Sequence, residues 1–447
     1  MNGKDFLLEI AGNLVKKALE EGFDEVAVQV HRKKEVMVKV ANSEPSVIQN
    51  WTVANVGIYL AKEGRIIIVE QSPAKLEDTE KVFGELKETA KLSPPSPFYA
   101  PLPEPQSIEP LEGLVDKRIL NTMNDPSDLT EMIINTAFEE DIDYVAGMID
   151  FVYSEKALAT SKDVNLYEDA TYLEAYLRAF AGKGSGQWAY GSRMLKEERL
   201  RKMALEAARL ASRAKHPEPG EPGVYDVILS PMVAGNLLNL VAGMSSAFSV
   251  LMGTSIFMNK KPGDKVASSI FTLIDDPRKP ESAGSTAFDS EGVPTYTKPI
   301  IKEGVLKTFL HNSKTAAKMG AKSTGNAGWL WPHPWSLRIP PGEYTLDELI
   351  REVERGILVT NNWYTRLQNY VEGVFSTITR DALFLIENGE IVRPIYKLRI
   401  ADRLPTLLQN IAALSREVYD IKWWEVGIPT RTPYILVKNL HTSTHTA

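Results

Sequence analysis

The chain opens with two hydrophobic periods in succession. Asp5 to Glu21 places Leu7, Ile10, Ala11, Leu14 and Ala18 on one stripe, the spacing of an amphipathic helix. Apolar residues then fall on alternate positions: Val26-Val28-Val30, Val36-Val38-Val40, Val56-Ile58-Leu60 and Ile66-Ile68. That two-residue period predicts strands with one buried face. Lys62-Glu63-Gly64 joins the last two as a hairpin turn. A second helix is expected over about Ala74 to Leu92. It leads into a proline-rich connector, 94–111, which can continue neither helix nor ladder and should cross the surface in extended form.

The next segment repeats the first. Phe23-Asp24-Glu25-Val26-Ala27 matches Ile142-Asp143-Tyr144-Val145-Ala146 at an offset of 119, and Ala61-Lys62-Glu63-Gly64 matches Ala181-Gly182-Lys183-Gly184 at 120. Helices are expected over Ser127 to Phe138 and Lys196 to Ala214, so 1–93 and 120–215 read as a duplicated helix–strands–helix unit. Few identities carry the match, and chance alignment of valine-rich strands remains the alternative.

His216-Pro217-Glu218-Pro219-Gly220-Glu221-Pro222-Gly223 marks a boundary between an N-terminal α+β domain, 1–216, and a C-terminal domain, 223–447. The second half is strand-rich: Val224 to Leu229, Ile270 to Asp275, Thr297 to Ile301, Val305 to His311, Val371 to Ile378, Ala382 to Glu387 and Ile391 to Pro394. Thr345-Leu346-Asp347-Glu348 is a capping box with Gly356 as the helix stop, and Leu404 to Ala413 reads as another helix. Grouped strands with few crossover helices predict an α+β fold with a mixed sheet.

The stretch from Ser285 to Gly328 is the most distinctive. It contains Ser285-Thr286-Ala287-Phe288-Asp289-Ser290-Glu291-Gly292, a Glu303-Gly304 turn, and Lys322-Ser323-Thr324-Gly325-Asn326-Ala327-Gly328. This pattern resembles the core signature of the TldD/PmbA family, peptide-processing proteins also named modulators of DNA gyrase. Metallopeptidase members of that family carry His-Glu-x-x-x-His on a helix. Alignment on Leu237-Leu238 and Gly243 puts Asn239, Leu240 and Met244 at the two histidines and the glutamate, in the order His, Glu, His. The family's further ligand is a C-terminal cysteine, and this sequence has no cysteine. Amide, aliphatic and thioether groups suit neither zinc binding nor proton abstraction, so no catalytic residue and no metal ligand is assigned. The resemblance implies a PmbA/TldE-like subunit without its own zinc. Zinc would then belong to a TldD-type partner, and the expected assembly is a two-fold dimer with that homologue or with a second copy of itself. Whether such a chain is an enzyme by itself stays open. The alternative is a regulatory homodimer that binds peptides or a partner protein without catalysis.

Two aromatic loops are candidate binding surfaces for a peptide or unfolded protein segment. Asn326, Trp329, Trp331 and His333 lie in one, and Asn362, Trp363 and Arg366 in the other. Rigid rings and amides could line a groove; the alternative is that the tryptophans cap the core. A hydrolase built on His333 or His311 is a third reading, with no nucleophile–base pair visible. His441 and His445 fall in a segment expected to fray. Gly182-Lys183-Gly184-Ser185-Gly186 reads as a hairpin turn rather than a phosphate loop.

Bulk properties narrow the remaining choices. The 447 residues carry a formal charge of -7 with 43% hydrophobic content, which argues for a sizeable core and against direct nucleic-acid binding. Without cysteine, disulfides and thiol nucleophiles are excluded. No apolar run is long enough for a membrane helix, and Met1 to Asp5 has no signal-peptide character, so a cytoplasmic protein is expected.

Overall fold

The computed structural model describes all residues except 1, 2, 74–78, 80, 81, 446 and 447. Its first half is one antiparallel sheet with helices on a single face. α1 (Gly3–Glu20) is followed by β1 (Glu25–Ala41), β2 (Glu44–Lys62), β3 (Arg65–Gln71) and α2 (Phe83–Leu92). The start of the helix expected from Ala74 lies outside the described residues. Next come α3 (Lys117–Thr122), α4 (Ser127–Ala137), β4 (Tyr144–Thr160), β5 (Asn165–Ala181), β6 (Gly184–Ser192) and α5 (Glu197–Arg213).

The sheet order is β3-β2-β1-β4-β5-β6, so two three-stranded meanders meet at β1 and β4. Their registers match except at a bulge after Lys39 that β4 lacks. Glu25↔Ala61 corresponds to Tyr144↔Phe180, Val56↔Gln71 to Ala175↔Tyr190, and Lys62↔Arg65 to Ala181↔Gly184, each at an offset of 119. The valine runs expected as separate strands form the single strand β1. Arg32 continues the ladder between them because Glu155, its register partner, accepts from its Nε at 2.6 Å. Val26, Val28 and Val30 of β1 pack with Leu7, Ile10 and Leu14 of α1. The odd-numbered side of β1, with Gln29, His31, Lys33 and Glu35, faces away from the helices.

The connector is less superficial than its prolines suggest. Ala100 and Leu102 are buried, and the Leu102 N–H donates to the Glu25 carboxylate at 3.1 Å.

The second half begins with β7 (Glu218–Pro219), β8 (Val224–Leu229), α6 (Pro231–Met244) and α7 (Ala247–Leu251). β9 (Leu273–Asp275), β10 (Lys298–Lys302), β11 (Val305–Leu306), α8 (Ser313–Met319), β12 (Leu337–Arg338) and α9 (Leu346–Arg351) follow. The last group is β13 (Arg355–Asn369), β14 (Val374–Glu387), β15 (Glu390–Tyr396), β16 (Leu398–Arg403), α10 (Leu404–Gln409), β17 (Ile411–Leu414), β18 (Tyr419–Trp423), β19 (Val426–Thr432) and β20 (Ile435–Thr444). β13, β8, β20, β16 and β14 pair in a ring that closes where β14 meets β13 again. Val227, Leu229, Ile357 and Val359 pack with α6 residues Val233, Leu237 and Val241. Their neighbours Ile228, Leu358 and Phe384 instead join Leu173, Leu200 and Met203 of the first half in a second core. The fold is α+β, as the strand grouping predicts.

Several expected elements differ. Gly356 is not a helix stop: α9 ends at Arg351, and Gly356 sits in β13 opposite Asp226. A Cβ there would lie 2.2 Å from the Asp226 carbonyl oxygen, so glycine permits the close parallel approach. The Thr345–Glu348 capping box is present, with Thr345 N–H donating to Glu348 Oε2 at 2.7 Å. The strand expected to His311 stops at Leu306, and the helix expected to Ala413 stops at Gln409 and continues as β17. His441 does not fray. It lies in β20, between β8 and β16, with its Nδ1 2.9 Å from Asp402 Oδ2.

Candidate functional site

Ser230 caps α6, its side chain accepting from the Val233 N–H, and Pro231 occupies the first turn. This rigid start fixes what Asn239, Leu240 and Met244 face. Asn239 is spent on β19: its Nδ2 donates to Thr430 Oγ1 at 2.9 Å and Ile428 O at 3.2 Å, and its Oδ1 accepts from Ile428 N–H at 2.8 Å. Met244 is buried in the α6 core and Leu240 packs against it. An amide committed on both sides, a leucine and a buried thioether do not fit a catalytic zinc. Among the described residues, no three His, Cys, Asp or Glu side chains are grouped closely enough to hold a metal ion.

The aromatic residues separate into two places. In the first loop, Asn326 is fully buried, donating to Asp275 Oδ2 at 2.7 Å and His333 O at 2.9 Å. It pins the loop from inside. Trp329 is buried and stacks on Tyr59 of β2 at 6.3 Å, tying the halves together as a core cap. Trp331 stays 47% exposed beside Phe248. His333 packs edge-on against Trp335 at 4.4 Å.

The second expected loop is strand: Asn362, Trp363 and Arg366 lie within β13, opposite Thr379, Ile378 and Ser376 of β14. Asn362 is fully buried and donates to Asn236 Oδ1 and Thr377 Oγ1, both at 2.9 Å. Trp363 and Arg366 are exposed: Arg380 lies over the Trp363 ring, and Arg366 over Tyr364. Of the seven candidates, His333 lines a cavity described below, and the buried amides of Asn326 and Asn362 serve the interior. His311 is buried, pushed down to about 4 by desolvation, with Thr315 Oγ1 3.3 Å from its Nδ1. Among the described residues no carboxylate is hydrogen-bonded to it to orient it for base catalysis.

A cavity of about 380 Å³ lies between the helix-free face of the first sheet and the loops after Gly284. One row of its wall runs across three strands: His31 is the register partner of Lys156, and Lys156 of Glu168. Lys156 Nζ donates to Thr286 Oγ1 at 2.7 Å and lies 3.4 Å from Glu168 Oε1. Burial pulls Lys156 below its ordinary range against the attraction of Glu168. Burial would raise Glu168, yet Lys156 and the Ala287 N–H outweigh it and hold the carboxyl low. Arg193 enters from the end of β6, and burial lowers it to about 10. His31 is open to the cavity space yet ringed by the cavity wall, and that enclosure, with Lys156 beside it, lowers the imidazole; burial also lowers His333. Both imidazoles are therefore neutral near pH 7.

His31, Lys156, Glu168 and Arg193 are absent from the candidates read from the sequence. The available signal was the polar phase of β1, Gln29-His31-Lys33-Glu35, opposite a valine phase. Such alternation reads as a solvated face, and only the register and the covering loop reveal a cavity.

Family profiles match residues 115–215, as the PmbA/TldA metallopeptidase central domain, and 222–444, as the PmbA/TldA metallopeptidase C-terminal domain. The chain is 28% identical over 304 residues to Metalloprotease MJ0996 of Methanocaldococcus jannaschii, covering 64% of this chain and 66% of that protein. It is 32% identical over 193 residues to Metalloprotease PmbA of Escherichia coli O157:H7, covering 43% of this chain and 41% of the relative. Matched segments thus span less than two thirds of either relative. A Thermotoga maritima structure, a candidate modulator of a DNA gyrase, shares 25% identity with a TM-score of 0.83, covering 97% of this chain and 99% of that one. TldE from Thermococcus kodakarensis has a TM-score of 0.85 at 22% identity, covering 97% and 100% of the two chains, a likeness of fold. With both profiles matched end to end along most of its length, the chain belongs to the PmbA/TldD metallopeptidase family.

Proposed function

We propose that this chain is a PmbA/TldE-type subunit that assists peptide processing without supplying the catalytic metal. The observation that carries the reading is the commitment of Asn239. Its amide is bonded to β19 through both Nδ2 and Oδ1 where the resemblance places a zinc-binding histidine. Leu240 at the glutamate position cannot take a proton from water. The working complex is then a dimer with a zinc-bearing TldD-type homologue, and its substrate a peptide or unfolded segment in the cytoplasm. Exposed Trp331, Trp363 and Arg366 are the proposed contacts of that segment or of the partner.

Metal analysis and a peptide-cleavage assay test this reading, using the purified chain alone and mixed with a TldD-type homologue. The expected result is substoichiometric zinc and no cleavage by the chain alone, with cleavage and equal stoichiometry in the mixture. Stoichiometric zinc together with chelator-sensitive cleavage by the chain alone overturns it. Recovery from the source cells as a homodimer without a zinc-motif homologue favours the regulatory alternative.

A further inference from the structure

The cavity between the first sheet and the Trp335 loop has a wall built for an anion. Arg193 is nearly wholly enclosed, yet its acceptors are all neutral: Ser285 Oγ at 2.9 Å, the Ser285 carbonyl and the Thr171 carbonyl at 3.3 Å. Among the described residues no carboxylate bonds to it directly, Glu168 acting on it only at a distance, and an enclosed guanidinium without a contacting counter-charge is costly. Lys156, across the cavity, does have Glu168. The lining residues therefore carry two cations and one carboxylate. Asp289 also acts on Lys156 but does not line the cavity, and its oxygens already accept from the Glu291, Val293 and Ala327 N–H groups behind the wall. Glu291 is itself paired with Lys314.

The other walls suit a chain end. The His31 imidazole opens into the cavity and makes no hydrogen bond among the described residues, so a donor is free. Ser154 presents a hydroxyl, now donating to the Ala170 carbonyl at 3.3 Å. Trp335 supplies an apolar wall, its indole fixed by donation to Gly325 O at 2.8 Å. A volume of about 380 Å³ is within the range of small-ligand sites.

We infer that this cavity receives the terminal carboxylate of a peptide, through Arg193, Lys156 and His31. The single excess positive charge matches a carboxylate, whereas a phosphate group with roughly -1.5 to -2 charge would be under-compensated. Assignment of the ligand as a peptide rests on the proposed function above; assignment of its charged group rests on the cavity.

The test uses the full chain and a library of N-acetyl tripeptides, offered as free acids and as the matching C-terminal amides. Retention by the protein on ultrafiltration is read by mass spectrometry. Free acids should be retained at least tenfold over amides. Ser154→Glu, which places a carboxylate in the cavity, should abolish that preference, and His31→Ala should reduce it severalfold. Equal retention of acids and amides by the native chain overturns the inference, whatever the variants do. So does a Ser154→Glu protein with native melting behaviour and an undiminished acid preference. Inorganic phosphate displacing the acids at lower concentration than acetate would assign the cavity to phosphate and likewise overturn it. The measurement needs neither partner nor zinc. Loss of acid preference leaves the metal-free-subunit reading standing, and zinc in the purified chain would sink that reading without touching the acid preference.

Discussion

Lys314 Nζ lies 2.6 Å from Glu291 Oε1, and neither side chain reaches solvent. The pair seals the contact between halves: Lys314 also sits 4.2 Å from the centre of the Tyr59 ring, and Glu291 accepts from both the Ser313 N–H and its hydroxyl. Removing one member leaves an uncompensated buried charge. Lys314→Met should therefore cost about 3–5 kcal/mol in urea unfolding. Combining it with Glu291→Gln should recover much of that loss, and additive costs in the double variant would contradict the coupling.

Asn239 should behave as a fastener. Asn239→Ala deletes its bonds to Ile428 and Thr430 and leaves the Ile428 N–H without its acceptor, a loss of about 1–3 kcal/mol. Metal content of the purified protein should not change. A fall in bound zinc on this substitution would mean the amide helps hold a metal.

The tryptophans of one loop should part company. Trp329→Ala removes a buried ring stacked between halves and should cost about 3–5 kcal/mol. Trp331→Ala, at a half-exposed ring, should cost about 0.5–1.5 kcal/mol, the worth of one aromatic pair with Phe248. If Trp331 contacts a peptide or partner, its loss shows in binding rather than in melting.

Asp150 sets a pH dependence of stability. Burial, reinforced by Glu35, raises it from its ordinary value near 3.8 to about 8. The folded chain thus holds a proton that the unfolded chain releases above about pH 4, and stability falls as pH rises from about 4 to about 8. Asp150→Asn should flatten that slope, with its largest gain in melting temperature at pH 8 and little change at pH 4. A variant whose melting temperature follows the native pH curve would rule out Asp150 as its source.

Local chemistry was readable wherever it acts within a few residues. The capping box at Thr345, the α1 stripe and the Glu63-Gly64 turn all appear, the last with φ of 49° and 74°. Pairing between distant segments was not readable. β1 runs unbroken through Arg32 because Glu155, far along the chain, answers it. Gly356 looks like a helix terminus until β8 lies against it. The same limit hid the cavity. His31, Lys156 and Glu168 form a row only after three strands take their register, and Arg193 joins from a fourth. Asn326 and Asn362 drew attention as polar groups among aromatics, but their amides turn inward. Exposure of a polar side chain in a loop is decided by what the loop folds over.

The ring of β13, β8, β20, β16 and β14 has a bearing on how the protein is made. β8 is synthesised early in this half, yet its neighbour on one side is β20, Ile435–Thr444. As the chain leaves the ribosome, β8 and β16 must wait with open backbone edges through the production of some forty residues or more after β16, since only β20 fits the gap between them. Products that stop before β20 therefore keep two unpaired edges, the kind of surface that invites aggregation.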